Sequence, residues 1–341
     1  MKNLLIILTS ILVLTVVAFL GYHYLKIEPI QEARPSIAPT ATETDPNTFI
    51  SDLNAKIDES IPDKPMRLGE YQAYLDSLDK TDANSIQKGL KTFQKNLLNY
   101  SQADKERAFT YYNVFFHNVI SKFEDAVYRK GILEKIGNEV RSKSNDVIDF
   151  NELLGILNNP NKTKKDPQVQ ELTELLYFNG MKFEMSEGTI YIASQPDFLF
   201  NNFGPYLPEA FRDYLAITKE HDSEIWVDDA CLLISFEDLG DRIIAWENFM
   251  EKYPEFEYYQ DIKETHDRYL RFFLMGLDNS PLFNYPDDLL DPNIQKAYEN
   301  YIQKNGARES GKLVNSYYEL LEAEGFKKGP KIDQFYKDNN L

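Results

Sequence analysis

The chain has 341 residues, with 55 Asp and Glu against 37 Lys and Arg, giving a net charge of −18. That excess disfavours nucleic acid and anionic headgroups as partners, since both need a basic face. Fifteen glycines without a GxGxxG or GxxxxGKS/T arrangement, and a single cysteine (Cys231), argue against phosphate-cradling folds and exclude an internal disulfide.

The first predicted element is the uncharged run from Leu4 to Leu25, ended by Lys26. As a helix rising about 1.5 Å per residue it spans roughly 33 Å, enough for the ~30 Å hydrocarbon core of a bilayer. Tyr22 and Tyr24 fall where an interfacial aromatic belt belongs; Lys2 flanks the short end, and Glu28 and Glu32 follow the other. Residues 1–26 therefore read as a single-pass transmembrane anchor with the C-terminal bulk outside the cytoplasm. The alternative is secretion after signal cleavage near Ala18, but the apolar run continues past it to Leu25, which favours the uncleaved anchor. No cysteine follows the run, which excludes a lipoprotein.

Residues 27–47 form a proline-rich linker: Pro29, Pro35, Pro39 and Pro46 among Ala, Ser, Thr and Glu give a stiffened spacer rather than a core. Without Lys2 and Lys26, the part beyond the anchor carries −18 − 2 = −20.

Beyond the linker the periodicity is helical almost throughout, so the fold class is mostly α. An N-terminal helical subdomain, 48–158, begins with a short helix to about Ile61, then Leu68–Leu78. Asp82 or Ser85 can cap the stripe Ile86, Leu90, Phe93, Leu97 and Leu98; Asp79, Asp82 and Asn84 lack the glycine and glutamate of a calcium loop. Ser101 can cap a long helix from Gln102 to about Val140, with Phe109, Tyr112, Phe116, Val119, Ile120, Phe123 and Val127 inward and a break at Gly131. Helices over Val147–Leu157 and from Val169 to about Met181 flank the polar stretch Asn158–Pro167, the best internal boundary.

The C-terminal subdomain, 168–341, opens with a β-hairpin over 182–192, turning at Ser186-Glu187-Gly188. Helices are then expected over Glu209–Thr218, Asp228–Phe236, Leu239–Lys252, Glu257–Met275, Asn293–Asn305 and Lys312–Ala323. Ala245–Lys252 (AWENFMEK) resembles Ala297–Lys304 (AYENYIQK), and each precedes a tyrosine-bearing helix, a pattern of stacked helix-hairpin repeats or a solenoid.

Four scattered histidines, with no HExxH or CxxC, give no transition-metal site, and no cofactor is expected. Cys231, in an apolar sequence, reads as a small buried hydrophobe, and His266 as part of a solvated helix face. The least ordinary cluster is His221–Asp229, where Asp222, Glu224, Asp228 and Asp229 surround Trp226. These four carboxylates are the candidate catalytic set of an envelope hydrolase acting on glycans. The plainer reading makes Asp228 and Asp229 the start of a helix, capping its N–H groups, with Trp226 a packing anchor before it. The favoured function is protein or peptide binding, or scaffolding, in the cell envelope, with the tyrosine-rich stretches Glu257–Tyr259 and Asn315–Tyr318 as interface material.

Overall fold

A computed structural model of the chain describes residues 46–144, 150–163 and 166–341. The expected anchor at 1–26 and nearly all of the linker at 27–47 lie outside the described residues; among these, no helix is long and apolar enough to cross a membrane. The protein is mostly helical, with fourteen described helices and small β-hairpins.

The first helices are α1 (Pro46–Ser60), α2 (Leu68–Ser77), α3 (Ser85–Asn96) and α4 (Gln102–Arg129). Ser101 caps α4 as its sequence predicts: its Oγ accepts from the Asp104 N–H, and the Asp104 carboxylate returns to the Ser101 N–H. The predicted inward stripe from Phe109 to Val127 is buried, and α4 stops at Gly131, whose φ of 70° a side chain would resist. Asp79 accepts from the Thr81 N–H and Asp82 from the Asn84 N–H, so both shape the turn into α3.

After α5 (Ile132–Ser144), α6 (Phe150–Leu157) and α7 (Pro167–Phe178) comes the predicted hairpin, β1 (Met181–Ser186) with β2 (Thr189–Ser194). Its turn residues Glu187 and Gly188 both have positive φ, the pattern of a two-residue turn that suits strand twist. Met181, Phe183, Ile190 and Ile192 point inward, packing the hairpin among α4, α5, α6 and α7. Asn158 extends the pairing, donating to the Phe183 carbonyl (2.8 Å) and accepting from its N–H (2.7 Å). The stretch read as a boundary, Asn158–Pro167, thus borders elements in contact, and the described residues fall in one compact unit.

A short helix absent from the sequence reading, α8 (Phe198–Phe203), drives Phe203 into the N-terminal core, 4.6 Å from Phe93 and 4.7 Å from Tyr112 between ring centres. Six residues are too few to display a helical period. Next, α9 (Glu209–His221) leads to a second correction. Asp228 and Asp229 do not begin a helix: Val227–Asp228 (β3) pairs with Cys231–Leu232 (β4), and Asp229 and Ala230 form the tight turn with φ of 45° and 52°. Aspartate tolerates the left-handed region as readily as it caps helices, so residue type alone did not separate the two outcomes. Cys231 is half-buried there, its Sγ 3.5 Å from the Ser280 hydroxyl.

The remaining helices are α10 (Phe236–Lys252), α11 (Tyr259–Met275), α12 (Pro292–Asn305), α13 (Glu309–Ala323) and α14 (Pro330–Asp338), with a small hairpin of β5 (Phe283–Asn284) and β6 (Leu289–Leu290) before α12. Helix α10 packs on α11 and α12 on α13, while α10 also meets α12 and α11 meets α13. A Cβ on Gly240 would lie 2.9 Å from the Tyr301 ring, so glycine lets α12 approach α10 closely. Tyr317 is wholly buried, unlike the interface residue its sequence suggests.

A buried carboxylate ties these helices together. Glu247 of α10 accepts from the Ser310 N–H (3.2 Å) and hydroxyl (2.6 Å) in the first turn of α13, where the helix dipole favours negative charge. Removing its charge in Glu247→Gln should lower unfolding free energy by about 1–2 kcal/mol, read by urea denaturation. An unchanged midpoint would mean that the contact contributes little.

Candidate functional site

The faces of two helices, one side chain from a third and a connecting segment build one aromatic cavity. On α9, Tyr214, Thr218 and His221 recur at intervals of four and three residues, so they share a face, and Asp222 follows at the helix end. On α11, Asp261, Ile262, Thr265, Arg268 and Tyr269 recur in the same way. Trp246 enters from α10 and Trp226 from the segment before β3. Together they enclose a cavity of about 240 Å³.

The walls are aromatic and the rim is charged. Trp226 meets Tyr269 edge-on at 4.8 Å, and the His221 ring stands perpendicular to Trp246 at 5.5 Å. Trp246, Tyr269 and His221 are buried, whereas Asp222, Asp261 and Arg268 are exposed at the mouth. Arg242 of α10, itself buried, holds the end of α9 by donating to the His221 carbonyl (2.9 Å) and to Glu224 (3.3 Å).

Burial pushes the His221 imidazole down to about 4, with the Arg242 guanidinium adding to the effect, so the ring is neutral at pH 7. The Asp222 carboxyl is pushed up, chiefly by the protein packed around it despite its place at the mouth, with Arg242 pulling the other way. Two buried polar atoms of the wall, His221 Nδ1 and Trp246 Nε1, find no hydrogen-bond partner among the described residues.

Of the four carboxylates singled out in the sequence, only Asp222 lines this cavity. Glu224 turns to Arg242, Asp228 accepts from the Ser186 hydroxyl, and Asp229 sits in the β3–β4 turn, its carbonyl bonded by Asn279. The second carboxylate at the mouth is Asp261, which sequence reading missed, together with Trp246, Tyr214 and Arg268. Matching spacings of aromatic and polar residues on α9 and α11 were the available signal. His266, read as solvated, is instead buried, with Nδ1 3.0 Å from the Asp267 carboxylate. Among the described residues no three His, Cys, Asp or Glu side chains gather as a metal site.

A second concavity, of about 540 Å³, lies beside the start of α10 and α12. Leu232, Ile234, Phe236, Pro281, Ile294 and Ala297 supply its apolar lining, and Glu237, Asp291 and Lys296 its charged groups. Comparison with known protein families, characterised proteins and solved structures finds no match for the chain.

Proposed function

We propose that this protein is a membrane-anchored, extracytoplasmic module of the cell envelope that binds a partner protein through an exposed peptide segment. The observation that carries the reading is the groove of about 540 Å³ beside α10 and α12, where apolar residues alternate with polar ones and where Leu233, between the lining residues Leu232 and Ile234 in sequence, is 54 % exposed. A groove with such a mixed lining accepts apolar side chains spaced along a peptide. Glu237 and Asp291 outnumber Lys296 at the groove, and within a chain of net charge −18 they favour a segment whose apolar anchors are flanked by basic residues.

The helix arrangement supports the same reading. The matching segments Ala245–Lys252 and Ala297–Lys304 fall at the C-terminal ends of α10 and α12, which pack on each other as their following helices do. Stacked helix hairpins present extended binding surfaces. In this reading Leu4–Leu25 holds the domain at the membrane and the proline-rich linker lifts it clear. The glycan-hydrolase alternative requires paired carboxylates at a substrate, and its proposed set contributes only Asp222 to the aromatic cavity.

The test is a photoreactive residue at Leu233 in the full-length protein, irradiated in its own membrane. A discrete adduct is expected, and Ile234→Glu, which places a charge in the groove, should abolish it while leaving circular dichroism unchanged. An adduct that survives Ile234→Glu would refute binding in the groove.

A further inference from the structure

We infer that the cavity between α9, α10 and α11 is a binding site for a free basic amino acid. It shares no lining residue with the groove beside α10 and α12 and does not depend on what binds there.

The groups within reach of an occupant are few. Trp246, His221, Tyr269 and Ile262 are buried and offer it little surface. The open lining is Tyr214, Trp226, Thr218 and Thr265, all half-buried, with Asp222, Asp261 and Arg268 exposed around them. Among the described residues none of these three charged side chains has an ion-pair partner. The cations and anions near them are engaged elsewhere, Arg242 with Glu224 at 3.3 Å and Lys263 with Asp267. Arg268 has only a 3.5 Å contact to the Thr265 hydroxyl. The hydroxyls of Thr218 and Thr265 donate to the Tyr214 and Asp261 carbonyls, which leaves their oxygens to accept from a ligand.

The charges are ordered along the cavity. Asp261 and Arg268 share one face of α11 seven residues apart, about 10 Å along its axis. Asp222 stands between them. Burial raises the phenols of both Tyr214 and Tyr269, and Asp222 adds to each, joined by Asp261 at Tyr214 and opposed by Arg268 at Tyr269.

This order selects the ligand. A simple carboxylate would be repelled by two aspartates, a diamine would set a cation against Arg268, and a neutral molecule would leave all three charges without a counterpart. An α-amino acid carries an ammonium beside a carboxylate, which matches Asp222 beside Arg268. A basic side chain, on a stem of roughly four carbons, carries a second ammonium toward Asp261 and lays its methylenes against Trp226 and Tyr214. The volume of about 240 Å³, below the roughly 300–1,000 Å³ of pockets for drug-sized ligands, fits one such molecule.

The chain supplies its own reporter, because both of its tryptophans, Trp226 and Trp246, line this cavity. The full-length protein in detergent should be titrated at constant ionic strength with L-lysine, L-norleucine and 1,5-diaminopentane, following tryptophan emission. L-lysine should shift the emission saturably, with half-saturation at or below about 10 mM. Norleucine, which lacks the second ammonium, and diaminopentane, which lacks the carboxylate, should each bind at least about tenfold more weakly. Asp261→Asn, an exposed substitution, should weaken lysine at least about tenfold and leave norleucine unchanged. Arg268→Gln, also exposed, should weaken lysine and norleucine and spare diaminopentane. The inference is overturned if lysine leaves the emission unchanged, if norleucine or diaminopentane binds as tightly as lysine, or if both variants bind lysine as the wild type does.

Discussion

Gly311→Ala should destabilise the protein by about 3 kcal/mol or more, the largest effect of a single methyl group expected in this chain. Gly311 lies in the first turn of α13 where it crosses the end of α12. A Cβ there would stand 1.9 Å from the Asn305 carbonyl oxygen and 3.0 Å from the Gly306 Cα. Those are backbone atoms, so no rotamer change relieves the clash and the two helices must part. Parting them also pulls on neighbouring contacts, since Arg308 binds Glu251 at 3.1 Å and Ser310 binds Glu247. Gly69→Ala is the matched control, because a Cβ at this exposed helical position meets nothing within 4 Å. It should gain about 0.5 kcal/mol from reduced unfolded-state entropy. Urea denaturation of both variants measures the contrast; equal stability would mean that α12 and α13 do not cross as closely as described.

Acidification should cost the folded state about 2 kcal/mol through His221 alone between pH 7 and pH 5. Its folded value of about 4 lies below the ordinary 6.5, so near pH 5 the unfolded chain binds a proton that the native ring refuses. The stabilising contribution is complete above pH 6.5 and declines as pH falls toward 4. Burial is the main cause, and the Arg242 guanidinium opposes an imidazolium in the same place. Asp222 works in the opposite direction: its folded pKa is raised, so protonation at low pH relieves a cost of its ionised form and offsets part of the loss. A difference measurement isolates the histidine. His221→Gln should show a shallower fall in unfolding free energy from pH 7 to pH 5 than the wild type, by about 2 kcal/mol. Parallel pH profiles would show that the ring titrates normally in the folded protein.

Local patterns were legible in the sequence and tertiary ones were not. The buried stripe of α4, the Ser101 cap, the stop at Gly131 and the 182–192 hairpin each rest on residues within a few turns of one another. Ser85 shows a limit: it was a candidate cap for α3, but its hydroxyl donates instead to the Asp79 carbonyl. The β3–β4 turn is a sharper case, because Asp228 and Asp229 suit a helix start and a left-handed turn equally by type. The aromatic cavity was half visible. His221, Asp222 and Trp226 are close in sequence and drew notice, whereas Trp246, Asp261 and Arg268 join them only when α10 and α11 fold back against α9. Glu224 and Asp228, sequence neighbours of Asp222, point to Arg242 and Ser186 instead.

The most direct measurement compares photocrosslinking from Leu233 with that from Val114 in the intact protein in its own membrane. The two side chains are similarly exposed, at 54 % and 60 %, but Leu233 stands between the groove residues Leu232 and Ile234 in sequence, whereas Val114 lies on α4 and belongs to no part of the groove. Binding through the groove predicts a discrete partner adduct from Leu233 and none from Val114. Equal adducts from both positions, or none from either, would contradict it.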